Sequence, residues 1–165
     1  MHQEINWPKD KDELYMLMTA QLEALIADCP PISALSNAAA LLWDALKDIN
    51  WAGFYLIKDN MLYLGPFQGK TACTLIPVGR GVCGAAATSL EIQLVPDVHQ
   101  FPGHIACYSA SNSEIVLPLI KDSCLLGVMD IDSPKFARFE EADANGLKRM
   151  CDILMHAVDW SQGLL

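Results

Sequence analysis

The chain has 165 residues, 52% of them hydrophobic, with a formal net charge of -9 and a sequence pI near 4.7. That length can bury one core without disulfide staples, so a single domain over residues 1–165 is expected. The acidic surface repels phosphate backbones and anionic lipid heads, and no run is apolar and long enough to span a bilayer, which argues against nucleic-acid and membrane partners.

Asp12-Glu13 opens a segment in which Leu14, Leu17, Met18, Leu22, Leu25 and Ile26 recur at helical spacing. Cys29-Pro30-Pro31 stops it. Ser33 or Ser36 can cap a second helix that carries Ala38, Leu41, Leu42, Ala45 and Leu46 and ends near Asp48. Trp51 to Ile57 is aromatic and β-branched, Lys58-Asp59-Asn60 turns, and Met61 to Leu64 returns, which predicts a hairpin. Thr74 to Ile76 reads as a short strand and Val82 to Thr88 as a short alanine-rich helix. Glu91 to Val95 can form a further strand. Pro96 to His104 is too rich in proline and glycine for regular structure and reads as a surface loop delivering Cys107. Glu114 to Ile120 and Leu125 to Asp132 suit central strands, and a last helix runs from about Glu140 to Trp160. Hairpins in place of βαβ crossovers give an α+β class: a mainly antiparallel central sheet flanked by helices.

Six cysteines occur, at 29, 73, 83, 107, 124 and 151, with no CxxC pairing. The first thirty residues lack the basic start and unbroken apolar run of a signal peptide. The expected compartment is therefore the reducing cytoplasm, where a disulfide is more often transient and catalytic than structural. Cys73, Cys83 and Cys107 lie beside glycines, as thiols needing close-approaching backbone would. Cys83 falls at a helix N-terminus, where partial positive charge lowers a thiol pKa if the position is exposed. Cys29, Cys124 and Cys151 read as filling. His99 and His104 share a loop, but their spacing fits no tetrahedral motif, so no metal is expected and loop hydrogen bonding is their default role.

The blocks Asn50-Trp-Ala-Gly-Phe-Tyr55, Gly65-Pro-Phe-Gln-Gly-Lys70, Gly81-Val-Cys-Gly84, Asp97-Val-His99, Phe101-Pro-Gly-His-Ile-Ala-Cys107, Ser113-Glu-Ile-Val116 and Gly127-Val-Met-Asp-Ile-Asp132 stand in one order along the chain. Together they closely resemble the free methionine-(R)-sulfoxide reductases, which are stand-alone GAF domains. The resemblance runs from the first helix to the last. It implies Cys107 as the attacking thiol, with Cys73 and Cys83 as resolving or relaying thiols. It also implies a pocket for free methionine-(R)-sulfoxide lined by Trp51, Tyr55, Glu114, Asp130 and Asp132. No bound cofactor is implied. Thioredoxin, reduced by NADPH through thioredoxin reductase, would supply the electrons, in a protein acting against oxidative stress. GAF domains commonly dimerise through helix bundles, so a homodimer is a natural arrangement.

Asp130 and Asp132 share a parity, so a regular strand presents them on one face. One carboxylate can pair with the substrate ammonium, while another, kept protonated by acidic neighbours, donates to the sulfoxide oxygen; the sequence does not say which. An indole face suits the polarised methyl group. The chain departs from the family at Tyr108, where aspartate is usual directly after the loop cysteine, and a tyrosine hydroxyl there could act as a donor. The alternative reading is a non-catalytic GAF domain that senses a small ligand.

Overall fold

Asp10 opens the first helix, two residues ahead of the expected start. Its carboxylate accepts from the Glu13 amide at 3.0 Å and α1 runs over Lys11–Ile26. The structure is a computed structural model, and it describes residues 5–103 and 110–161. Helix α2 spans Pro31–Ala45 and begins on proline, whose missing N–H is no loss in a first turn. The serines expected to cap it lie inside it, and the Ser36 hydroxyl donates back to the Ile32 carbonyl at 2.7 Å. The helix ends at Ala45, before Asp48 takes a left-handed φ of 59°.

Strands β1 (Trp51–Lys58) and β2 (Met61–Gly69) form the expected hairpin, turned by Asp59 and Asn60 at φ 50° and 61°. Strand β2 continues five residues beyond Leu64, through Pro66. Its neighbour β3 (Leu75–Pro77) pairs only with Met61 to Tyr63, so Pro66 lies where β2 has become an edge and no ladder donor is required. Helix α3 covers Gly81–Ser89 and β4 covers Gln93–Val95. The loop that follows is irregular as expected apart from a 3₁₀ turn at Val98–Gln100. Strands β5 (Ser113–Lys121) and β6 (Cys124–Ser133) turn through Asp122 and Ser123, both left-handed. Helix α4 spans Glu141–Ala157.

The strands form one sheet in the order β3-β2-β1-β6-β5-β4, and every neighbouring pair is antiparallel. The two faces of the central strands are both buried, but differently. Ala52, Phe54, Leu56, Ile115, Leu117, Leu119, Met129 and Ile131 pack with α1, α2 and α4 in the larger core. Trp51, Tyr55, Val116 and Val128, one residue out of phase, pack with Val82, Ala86 and Ala87 of α3. The thin α3 side leaves room for a pocket over the polar ends of the central strands.

A buried charge joins α1 to α4. Asp143 accepts from Lys11 Nζ at 2.6 Å, from the Tyr15 hydroxyl at 2.8 Å and from the Glu140 amide at 2.9 Å, and it closes a capping box with Glu140. Burial pushes its carboxyl up, but the bonds from Lys11, Glu140 and Tyr15 and the charge of Arg138 outweigh that and hold it below the ordinary carboxylate value. Asp143→Ala strands these donors and should lower unfolding stability by about 3 kcal/mol in urea melts. Because the folded pKa is depressed, the stabilisation is complete above the ordinary carboxylate range. It is lost as pH falls through the folded value, so the difference between wild type and variant should shrink in acid.

Candidate functional site

The sheet register assembles the site. Trp51 pairs with Asp132 across β1 and β6, and Asp132 pairs with Glu114 across β6 and β5. One step along, Gly53 pairs with Asp130 and Asp130 with Val116. The period of two therefore puts Trp51, Tyr55, Glu114, Asp130 and Asp132 on the α3 face. They line one pocket with Cys83 from α3, Ser111 and the exposed Arg80. The five residues expected to bind substrate are thus brought together, along with one of the three expected thiols.

An aromatic wall closes one side. The Trp51 ring stacks on Phe67 at 5.3 Å and on Tyr55 at 5.8 Å. Trp51 Nε1 donates to the Lys70 carbonyl at 3.1 Å, and the Tyr55 hydroxyl donates to the Cys73 carbonyl at 3.0 Å. These two bonds tie the segment carrying Cys73 to the pocket wall. Cys73 is engaged in a disulfide. Cys107, Tyr108 and His104 lie outside the described residues.

Gly53 is a site residue that the sequence reading passed over, although a glycine inside an apolar strand signals close approach. A Cβ at this position would stand 2.4 Å from Phe67 Cβ and 2.7 Å from its Cα, in the stretch where the β1–β2 register slips. Its bare Cα lets Phe67 sit behind Trp51. Ser111 was passed over too, because it belongs to a connection rather than a strand, and Asn50 was named only within a resemblance block, without a site role. Ser111 hydrogen-bonds Asp132, and its hydroxyl also donates to Asn50 Oδ1 at 3.3 Å.

The three carboxyls differ in acidity. Burial, then the charges of Asp130 and Asp132, push Glu114 well above its ordinary value. Asp132 is likewise pushed well up by burial and by Asp130, against the hydrogen bond from Ser111. Asp130 rises only to about 6: burial raises it, but side-chain hydrogen bonds with Cys83 and Glu114 favour its ionised form. Hydrogen bonding thus favours the anion at Asp130, while burial and like charge favour the neutral acid at Glu114 and Asp132.

The exposure on which a low pKa for Cys83 depended is absent. The residue is at the start of α3, as read, but it is buried, and burial followed by the charges of Asp130 and Glu114 pushes its thiol well above the ordinary value. Desolvation and two facing carboxyls outweigh the helix end. Gly84 lets α3 press on the preceding turn, since a Cβ there would lie 2.7 Å from the Pro77 carbonyl oxygen. In the folded protein, iodoacetamide should modify Cys83 at least about tenfold more slowly than the exposed Cys124, read by peptide mass spectrometry.

The remaining cysteines stay apart from the pocket. Cys151 is buried in the opposite core with its sulfur 4.0 Å from that of Met129, and Cys29 donates to the Leu25 carbonyl. His99 serves its own loop, as expected, with Asp97 accepting from its amide and contacting its Nδ1 at 2.8 Å.

The family model that matches is the GAF domain, over residues 21–158. The chain is 52% identical over 142 residues to the free methionine-R-sulfoxide reductase of Escherichia coli (strain K12), covering 86% of each chain. It is 49% identical over 128 residues to the reductase of that name in Saccharomyces cerevisiae, covering 73% of this chain and 71% of that protein. The free methionine-R-sulfoxide reductase of Neisseria meningitidis, solved in complex with its substrate, superposes with a TM-score of 0.92 at 42% identity, over 98% of both chains. Likeness of this extent in sequence and in fold has one reading: the chain belongs to the free methionine-(R)-sulfoxide reductase family of GAF domains.

Proposed function

We propose that the protein reduces free methionine-(R)-sulfoxide to methionine, with thiols as the reductant and no bound cofactor. The observation that carries this reading is the set of three carboxyls, Glu114 and Asp130 buried and Asp132 half-buried, facing the Trp51 wall in one pocket. A zwitterionic amino acid with a polar sulfoxide needs an anion for its ammonium, an acid for its oxygen and an apolar surface for its methyl group. Asp130, the most acidic of the three, holds the ammonium. Glu114, kept protonated, donates to the sulfoxide oxygen and makes the sulfur electrophilic. The names of the relatives, one of them solved in complex with its substrate, support the substrate class.

In the first step the Cys107 thiolate attacks that sulfur. The sulfur–oxygen bond of the substrate breaks, methionine leaves with the electron pair, and Cys107 keeps the oxygen as a sulfenic acid, the proton coming from Glu114. In the second step the Cys73 thiol condenses with the sulfenic acid, forming a disulfide and releasing water. Thioredoxin, recharged by NADPH through its reductase, then reduces the disulfide by thiol–disulfide exchange and resets both thiols. Engagement of Cys73 in a disulfide supports it as the resolving thiol. Cys83, buried and protonated, suits a pocket donor to Asp130 better than a nucleophile. Recycling of this kind fits a reducing compartment such as the cytoplasm.

Coupled NADPH oxidation by thioredoxin and its reductase, with the free (R) epimer, the free (S) epimer and a peptide-bound sulfoxide as substrates, tests the reading. Turnover confined to the free (R) epimer is expected. A folded, reduced protein that binds the epimer without turning it over would favour a ligand-sensing GAF domain instead.

A further inference from the structure

The pocket floor has a second chemistry that turnover does not need. Cys83 on α3, Glu114 on β5 and Asp130 on β6 each offer a donor atom, and the three atoms lie within 4.8 Å of one another. All three residues are buried. Asp130 shares side-chain hydrogen bonds with Cys83 and Glu114, yet its buried Oδ1 has no hydrogen-bond partner among the described residues. An oxygen more than nine-tenths buried, beside a thiol and a second carboxyl, lacks the positive partner its surroundings call for.

We propose that Cys83, Glu114 and Asp130 form an inhibitory site for a divalent cation of borderline softness, best matched by Zn²⁺, which shuts the amino-acid substrate out of the pocket. One sulfur and two oxygens suit zinc better than magnesium or calcium, which take oxygen donors only. Zinc–sulfur and zinc–oxygen bonds of about 2.3 and 2.0 Å would place the donors about 3.5 Å apart, so a small rotation of each side chain closes the set. Three protein ligands leave a fourth position open to the pocket, for water. Binding displaces the protons of the Cys83 thiol and the Glu114 carboxyl, and both leave to solvent. The ion takes Asp130 from the substrate ammonium and Glu114 from the sulfoxide oxygen, so metal and substrate exclude each other. Arg80, which also lines the pocket, is the one cationic side chain opposing the ion there among the described residues.

The test uses the full chain with its Cys73 disulfide intact, so metal binding is read without turnover, and only the competition by methionine sulfoxide rests on the proposed function. Of the free cysteines at 29, 83, 124 and 151 in this state, Cys83 is the one that lines the pocket. Titration with Co²⁺ should give a one-to-one complex with a thiolate-to-cobalt charge-transfer band and tetrahedral d–d bands. Zn²⁺ should displace the cobalt, and free methionine sulfoxide should compete with it. Cys83→Ser should remove the charge-transfer band, and Asp130→Asn should weaken binding at least about tenfold. If Cys83→Ser is misfolded by circular dichroism, Glu114→Gln, of the same size, should show the same weakening. Absence of a one-to-one complex, or a charge-transfer band that survives Cys83→Ser, overturns the proposal.

Discussion

Cys107→Ser should lower steady-state reduction of free methionine-(R)-sulfoxide by about 10³-fold or more, because a serine hydroxyl at neutral pH supplies no anion to attack sulfur. Cys73→Ser should fail differently. It retains the attacking thiol, so it should release about one equivalent of methionine per chain in a rapid burst and then stall as the sulfenic acid, which dimedone traps as a stable adduct. Cys83→Ser separates the two candidate partners. A thiol held protonated by burial and by two facing carboxyls is a poor nucleophile, so its loss should leave the disulfide step intact and show itself in substrate affinity. The three variants together assign the thiols. A burst in Cys107→Ser, or a dimedone adduct on Cys83 in the wild type, would move the attack away from Cys107.

The sheet was legible because its signals are local. Two left-handed residues close the β1–β2 and β5–β6 hairpins, at Asp59-Asn60 and Asp122-Ser123, and apolar runs flank them. Legibility failed where a longer-range partner sets the outcome. Strand β2 runs past Gly65-Pro66 because β1 continues to pair with it, and α2 starts on proline rather than on a serine cap. The parity of Asp130 and Asp132 foretold a shared face, but the row that places Glu114 beside Asp132 and Trp51 beyond it exists only once the register is fixed. Cys83 shows the sharpest divergence. Its position on a helix is a sequence property, and it came out as expected. Its pKa depends on the carboxyls of two strands more than thirty residues away and on burial, and these reverse the direction that the helix end implies. Gly53 is the converse case, since an unremarked glycine proves to be what lets Phe67 back the indole.

The unequal acidity of the carboxyls leads to a second large effect, with opposite kinetic signatures at neighbouring residues. Glu114→Gln keeps shape and hydrogen bonding but removes the transferable proton, so kcat should fall by about 10²-fold or more while KM changes little. Asp130→Asn removes the charge that faces the ammonium, so KM should rise by about tenfold or more while kcat is less affected. The contrast depends on which group in this cluster can hold a proton. Burial alone would protonate all three carboxyls, but the side-chain hydrogen bonds to Asp130 favour its anion, and that anion in turn helps keep Glu114 and Asp132 neutral. One ionised carboxylate thus sustains its acidic neighbours, and exchanging the two should exchange the effects. If Asp130→Asn lowers kcat at unchanged KM and Glu114→Gln raises KM at unchanged kcat, the donor and the ammonium partner have been assigned the wrong way round. Infrared difference spectra offer a check free of kinetics, since a protonated carboxyl stretch should disappear in Glu114→Gln and persist in Asp130→Asn.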